Sequence, residues 1–249
     1  MAGGAAPREG SVTVDRYALY FAPAPDGALW RFGSGVLGYD AATGEDLPQL
    51  VPDGFDAQTF RALTADPRAY GFHATIKAPF RLAEGAREPD LLAALHAFAR
   101  ERPAFVLPAL AVTAVPAGPD GAAFVALTEP SPTLALGDLE RAAVTAFEPF
   151  RAPLTDTEIA RRRPDRLSER GRRNLDRYGY PHVLEDFRFH MTLTGRVPGP
   201  DVERAVAGLR ALRERRAPPG PVAFDHLALF RQMPGERFRI VARAALGTG

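Results

Sequence analysis

Cysteine is absent from the 249 residues, which excludes disulfides, thiolate metal sites and a cysteine nucleophile. Lysine is nearly absent: Lys77 is the only one, and every other fixed cation is arginine. A net charge of +1 leaves no global field to draw the chain to nucleic acid or to a membrane surface. No apolar run approaches the roughly 20 residues that a bilayer span needs. Residues 1–15 are small and polar, without the apolar stretch of a secretion signal. They read as a disordered tail on a chain expected in the cytoplasm. A hydrophobic fraction of 46% is ample for a core, in one large domain or two small lobes.

What the chain does contain is one short phrase written twice. Phe72-His73-Ala74-Thr75-Ile76 recurs as Phe189-His190-Met191-Thr192-Leu193. In an extended strand, residues two apart share a face. His73 and Thr75 therefore present together while Phe72, Ala74 and Ile76 turn inward, and the second copy repeats the division. Extending the alternation adds Gly71 and Lys77 to the first presented face, and Arg188 and Thr194 to the second. Each face then holds a cation, an imidazole and at least one hydroxyl, the groups that hold an oxyanion and move protons around it.

The remaining pattern is mixed. Strands are expected at Tyr17–Ala22, Gly71–Ala78, Ala104–Val115, Ala122–Leu127, Phe187–Gly195, Val222–Phe230 and Phe238–Ala244. Helices are expected from a cap at Asp26 through Leu37, from Asp56 to about Ala65, from Pro89 with a stripe of Leu91, Leu92, Leu95 and Phe98, from Ser131-Pro132 to Phe147, and from Asp201 to about Arg213. Residues 151–186 are polar and dense in arginine, with Thr155 and Asp165 as caps of two short helices. Each motif strand is followed by a turn, a helix and further strands. The order predicts an α+β fold of two pseudo-symmetric lobes over 16–246, with antiparallel sheets around a central cleft.

Two matched histidines can serve one phosphodiester as base and acid, each role typically worth ~10²–10⁴-fold. The threonine hydroxyls can donate to the non-bridging oxygens where charge builds. Lys77 and Arg188 can add charge there, the arginine through its fork. This scheme requires no metal and no cofactor, and neither motif face carries a carboxylate that would complete a metal site. His96, on an amphipathic helix, and His182, in Tyr180-Pro181-His182, read as structural. His226 lies beside Asp225 and can at most border the site. The arginine-rich stretch reads first as a solvated helix face with internal ion pairs, and otherwise as a lid that grips a second phosphate.

The doubled His-x-Thr pattern, carried by His73, Thr75, His190 and Thr192, resembles the two-histidine phosphoesterases, the LigT-like superfamily. The segments Tyr17-Ala-Leu-Tyr-Phe-Ala-Pro, Leu29-Trp-Arg-Phe-Gly-Ser, Tyr70-Gly-Phe-His-Ala-Thr-Ile-Lys-Ala-Pro-Phe and Phe187-Arg-Phe-His-Met-Thr-Leu-Thr-Gly resemble a bacterial branch of unknown function. That branch is associated with carbon–phosphorus lyase genes and phosphonate utilisation. The resemblance implies a bilobal LigT-like fold and metal-independent cyclic phosphodiesterase chemistry. It implies His73 and His190 as the acid/base pair and Thr75 and Thr192 as phosphate ligands, with Tyr20 and Arg31 as further substrate contacts. The arginine-rich insertion ahead of the second motif departs from many members. It favours a small phosphorylated metabolite, such as phosphoribosyl 1,2-cyclic phosphate, over RNA. An RNA-end 2′,3′-cyclic phosphodiesterase or 2′-5′ ligase, and a non-catalytic phosphometabolite-binding protein, are the alternatives.

Overall fold

The computed structural model describes residues 14–117 and 120–247. The expected tail therefore lies almost wholly outside the described residues, as does part of the turn expected after Val115. The fold is α+β. Its main sheet has seven strands: β1 (Arg16–Phe21), β4 (Ala74–Phe80), β6 (Ala111–Pro116), β7 (Ala123–Thr128), β8 (His190–Val197), β10 (His226–Gln232) and β11 (Arg239–Ala245). Their order is β11-β10-β1-β4-β8-β7-β6, and every pairing is antiparallel. Two small ribbons complete the strands, β2 (Tyr39–Asp40) with β3 (Glu45–Asp46) and β5 (Phe105–Leu107) with β9 (Val222–Phe224).

The two motif strands, β4 and β8, are neighbours at the centre of this sheet. A single residue pair, Ala74 with Met191, joins them. Four strands lie on one side of the seam and three on the other. The lobes expected from the sequence are thus two parts of one sheet that splay apart on either side of a single rung.

Helices cover the sheet where their apolar stripes dictate. Helix α4 (Glu88–Arg100) has Pro89 in its first turn and buries Leu91, Leu95 and Phe98 against β10 and β11. Each such side chain contributes about 1.5–3 kcal/mol on burial. Helix α5 (Leu134–Ala146) lies on β4, whereas α1 (Ala28–Leu37), α2 (Ala57–Leu63) and α3 (Ala65–Arg68) border β8, and α8 (Val202–Arg216) packs on β6 and β7. In α1, Gly33 lets the Phe72 ring lie against the helix; a Cβ there would come within 2.3 Å of it. That contact pins the start of the first motif.

Several local expectations need correction. Gly27, not Asp26, occupies the cap position of α1, with no side-chain cap bond, because the helix starts one residue later than a cap at Asp26 requires; the Asp26 backbone carbonyl accepts from Arg31. The helix expected from Asp56 to about Ala65 ends at Leu63, and a separate short α3 follows that contains Asp66 and Pro67. Asp56 caps α2 as the sequence predicts, accepting from the Thr59 N–H at 2.9 Å. In the arginine-rich segment, Thr155 and Glu158 form a reciprocal capping box for α6 (Asp156–Arg161). The second helix there, α7 (Glu169–Tyr178), is capped by Ser168; Asp165 sits in a separate 3₁₀ turn. The motif strands also begin later than expected, at Ala74 and His190.

Candidate active site at the central seam

The seam fixes the geometry of the site. Ala74 and Met191 pair and turn into the core, where both are buried. Carrying that antiparallel register one step in each direction sets His73 across from Thr192, and Thr75 across from His190. All four side chains leave the sheet on the face opposite Ala74 and Met191. The two histidines are diagonal neighbours, which in such a ladder separates Cβ atoms by roughly 7–8 Å. That spacing leaves room for one phosphate group between the rings. Phe72, Ile76, Phe189 and Leu193 anchor the flanks in the core.

Both imidazoles are held in the same way. His73 Nδ1 donates to the Gly71 carbonyl at 2.9 Å, and His190 Nδ1 donates to the Arg188 carbonyl at 2.8 Å. A carbonyl oxygen only accepts, so each Nδ1 carries the hydrogen and each Nε2 is left to face the cleft. In the first motif, the Thr75 hydroxyl lies 3.3 Å from His73 Nε2. The Gly71 carbonyl reaches His73 because Gly71 adopts φ +75°, a left-handed conformation; a Cβ there would also meet the Ala41 Cβ at 2.6 Å.

The environments of the two rings differ. His73 lies under the Tyr20 ring, stacked with centroids 3.6 Å apart and planes 16° from parallel. Burial lowers the His73 pKa to about 4, opposed by its bond to Gly71 and reinforced by the nearby His190. Among the described residues, the aromatic ring near His190 is that of Phe124, tilted and 5.5 Å away. Burial likewise raises the Tyr20 phenol well above its ordinary value. Among the described residues, the cleft around these groups has a volume of about 460 Å³, and its wall includes Arg16, Tyr70, Arg162 and Tyr180.

Four residues expected on the presented faces or at the site are placed otherwise. Lys77 is 3% exposed and points to the back of the sheet, where its ammonium donates to Glu148 at 2.9 Å and to the Val144 carbonyl at 3.0 Å. The cause is a β-bulge: Tyr20 pairs with Thr75 but its neighbour Leu19 pairs with Lys77, so Ile76 is an extra residue. One extra residue transfers the next side chain to the other face. Arg188 is exposed and donates to the Glu185 and Phe187 carbonyls; it serves the site through its own carbonyl alone. Arg31 is exposed on α1, bonded to Asp26 and away from the cleft wall. Thr194 is fully buried, accepting from the Val125 N–H and donating to the Gly195 carbonyl, both at 2.9 Å.

Arg16, Tyr70, Phe124, Arg162 and Tyr180 were not singled out by the sequence. Arg16 had a signal available, since it lies four residues before Tyr20 on one strand and so shares its face. Arg162 had none, being one of many arginines in its segment. His96 is exposed on α4, His182 is exposed with its ring edge toward Tyr180, and His226 bonds Asp225 at 2.8 Å. None of the three is on the cleft wall. Among the described residues, no three His, Asp or Glu side chains gather in a group that could hold a metal ion, and no helix is long and apolar enough to cross a membrane.

Comparison with known proteins assigns the chain to a family. The model of a family described as "Protein of unknown function (DUF1045)" matches residues 75–239, and the chain belongs to that family. Two curated relatives are each called ribose 1,5-bisphosphate phosphokinase PhnN. The one from Janthinobacterium sp. (strain Marseille) is 38% identical over 235 residues, 93% of this chain and 51% of its own length. The one from Laribacter hongkongensis (strain HLHK9) is 38% identical over 189 residues, 75% of this chain and 42% of its own length. The chain thus spans about half the length of the curated relatives it matches, or less. Among solved structures, E. coli LigT complexed with ATP aligns over 95% of this chain and 99% of its own, at 14% identity and a TM-score of 0.43.

Proposed function

We propose that the protein is a two-histidine cyclic phosphodiesterase acting on a small phosphorylated sugar, with His73 as base and His190 as acid. The observation that carries this reading is the rung between Ala74 and Met191, which gathers both His-x-Thr pairs on one face with both Nδ1 atoms tied to carbonyls. Water between the rings loses a proton to His73 Nε2 as its oxygen bonds to phosphorus. The bond from phosphorus to one ring ester oxygen breaks, and that oxygen takes the proton from His190 Nε2. A monoester and a free hydroxyl result. Thr75 and Thr192 donate to the non-bridging oxygens as their charge rises. A histidine held neutral down to about pH 4 keeps the lone pair that a base needs.

The names of the relatives support a choice of substrate. Opening phosphoribosyl 1,2-cyclic phosphate at the 2-oxygen leaves the phosphate on C1, and the product is ribose 1,5-bisphosphate. That is the compound in the relatives' printed name. The kinase activity in that name does not suit these 249 residues. Their only lysine, Lys77, is buried against Glu148, so they contain no phosphate-loop lysine.

The test is turnover of phosphoribosyl 1,2-cyclic phosphate beside a nucleoside 2′,3′-cyclic phosphate. Wild type is expected to open the sugar substrate, and His73→Ala and His190→Ala to lose that activity while remaining folded by circular dichroism. Turnover of the nucleotide alone would move the protein to RNA-end chemistry. Binding of the sugar without turnover would make it a phosphometabolite-binding protein.

A further inference from the structure

We propose that the His73 end of the cleft is a second anion subsite, built by Arg16 and Arg162, that selects cyclic phosphodiesters bearing an additional phosphate group. The inference rests on the cyclic phosphodiesterase reading and names the substrate class that this cleft takes.

The first observation is an imbalance of charge along the cleft wall. Arg162 is half-buried at the end of α6, with its guanidinium 5.0 Å from the centroid of the Tyr180 ring. Among the described residues it makes no ion pair and no hydrogen bond through its side chain. Of the other arginines in the segment, Arg170 is paired with Asp186 and Arg173 with Glu169, whereas Arg161, Arg163 and Arg166 are exposed to solvent and off the cleft wall. Glu158, one turn before Arg162 in the chain, is taken by Arg81 at 3.0 Å and by the capping box, and Asp165 lies exposed in the 3₁₀ turn that follows. Arg16, also half-buried, donates to the neutral Gln232 amide at 2.9 Å, whereas the adjacent Asp15 is paired with Arg231.

The second observation is that the two guanidinium groups share one pocket. Each lines the same cleft, and the charge of Arg16 is close enough to make Arg162 less basic, in addition to the larger effect of burial. Tyrosines link the arginines to His73: Tyr180 lies beside Arg162, Tyr70 is 6.4 Å from the His73 ring, and Tyr20 stacks on it. Two like charges brought into a partly desolvated pocket repel each other and lose hydration, a cost that Glu158, already paired with Arg81, offsets only in part. A bound anion removes that penalty, and a guanidinium fork matches a phosphate's oxygens.

The other end of the cleft is neutralised. Arg196 there is paired with Asp120, and Asp66, the one carboxylate on the wall among the described residues, flanks Gly195. The asymmetry fixes an orientation: the cyclic diester sits between the histidines and the additional phosphate extends past His73 toward Arg162. A phosphomonoester five carbons along a pentose, as in phosphoribosyl 1,2-cyclic phosphate, has this layout. A nucleoside cyclic phosphate lacks the second anion.

The experiment compares kcat/KM for phosphoribosyl 1,2-cyclic phosphate and for ribose 1,2-cyclic phosphate, which lacks the 5-phosphate. Wild type is expected to prefer the phosphorylated substrate by about 10–100-fold, as charge-assisted hydrogen bonds of this kind allow. In Arg162→Gln that preference should collapse toward one, chiefly through KM, and Arg162→Met should repeat the result without a hydrogen-bonding side chain. Absence of a preference in wild type, or a preference that survives both substitutions, overturns the subsite. Calorimetry with ribose 5-phosphate supplies an arm that needs no turnover. If neither cyclic compound is hydrolysed, the phosphodiesterase reading fails. The subsite then stands on ribose 5-phosphate binding that Arg162→Gln weakens at least tenfold, and falls without it.

Discussion

The two motif strands spell the same phrase and are treated differently by the fold. The first histidine is roofed by the stacked Tyr20 ring and held neutral; the second, also partly buried, has the tilted Phe124 ring beside it. Both rings use the carbonyl two residues upstream as an anchor, yet that residue is an obligatory left-handed glycine in one copy and an exposed arginine in the other. Both strands also break their register just past the threonine. From Phe21 to Tyr17, four steps of β1 face six steps of β4, from Ala74 to Phe80. From Ala126 to Phe124, two steps of β7 face four of β8, from Thr192 to Arg196. The two copies share the His-x-Thr pair, the carbonyl anchor and a slip of two residues beyond it, and differ in the aromatic surroundings of the ring and in the residue that supplies the carbonyl.

Removing either imidazole breaks the comparison most severely. His73→Ala and His190→Ala are each expected to lower kcat by ~10²–10⁴-fold, and the double variant to lose little more, because the pair acts as a unit. The difference between the rings shows in pH. The acid limb of kcat/KM, which reports the free base, should fall near pH 4 instead of near the ordinary 6.5 of histidine. An acid limb at 6.5 that persists in a His190 variant would remove His73 from the base role. Stability follows the same group. Its folded pKa is below its unfolded one, so as pH falls the unfolded chain takes up the proton first. The contribution is complete above 6.5 and is lost as pH drops toward 4, at most about 3 kcal/mol. His73→Asn should flatten the midpoint temperature across that window, measured by thermal melts.

Gly71→Ala probes the anchor of the first ring. The substitution places a Cβ in a left-handed backbone and against Ala41, so the Gly71 carbonyl must shift. A loss of about tenfold in kcat, with about 1–3 kcal/mol of stability, is expected from the strain and the misaimed imidazole. Equal kcat in Gly71→Ala and wild type would show that the carbonyl does not orient His73.

Lys77→Met separates sequence alternation from structure. The alternation places Lys77 beside the histidines; the bulge at Ile76 places it on Glu148 behind the sheet. Removing one member of a buried pair is costly, although Glu148 keeps Arg151 at 2.6 Å as a second partner. A loss of about 1–3 kcal/mol in urea unfolding, with kcat/KM within about threefold of wild type, is the expected result. A hundredfold loss of activity at full stability would return Lys77 to the site.

These cases mark where the sequence was legible. The face shared by His73 and Thr75, and by His190 and Thr192, follows from a period of two over three residues, too short for a bulge to intervene. Antiparallel strands, the stripe on α4 and the caps at Asp56 and Thr155 are equally local. Lys77 was misplaced because a bulge is a property of the strand pair and leaves no mark on the strand that carries it. That one sheet runs through both lobes was not legible, because the Ala74–Met191 rung joins residues more than a hundred positions apart. Arg162 could not be chosen among its neighbours because only the packed segment turns one guanidinium inward.

Arg188→Ala is the mildest probe and the one that defines what the second motif needs. Its side chain lies in solvent, bonded to the Glu185 and Phe187 carbonyls, while its own carbonyl holds His190. Alanine retains that carbonyl and an extended backbone, so kcat and KM should each stay within about twofold of wild type, as for other exposed changes. A tenfold loss in kcat would mean that the guanidinium enters the cleft when substrate binds, and the upstream residues of the two motifs would then be equally constrained. With the small effect, a carbonyl in place is all the second motif asks of that position, and the demand for glycine in the first belongs to its left-handed backbone and to the crowding around Ala41.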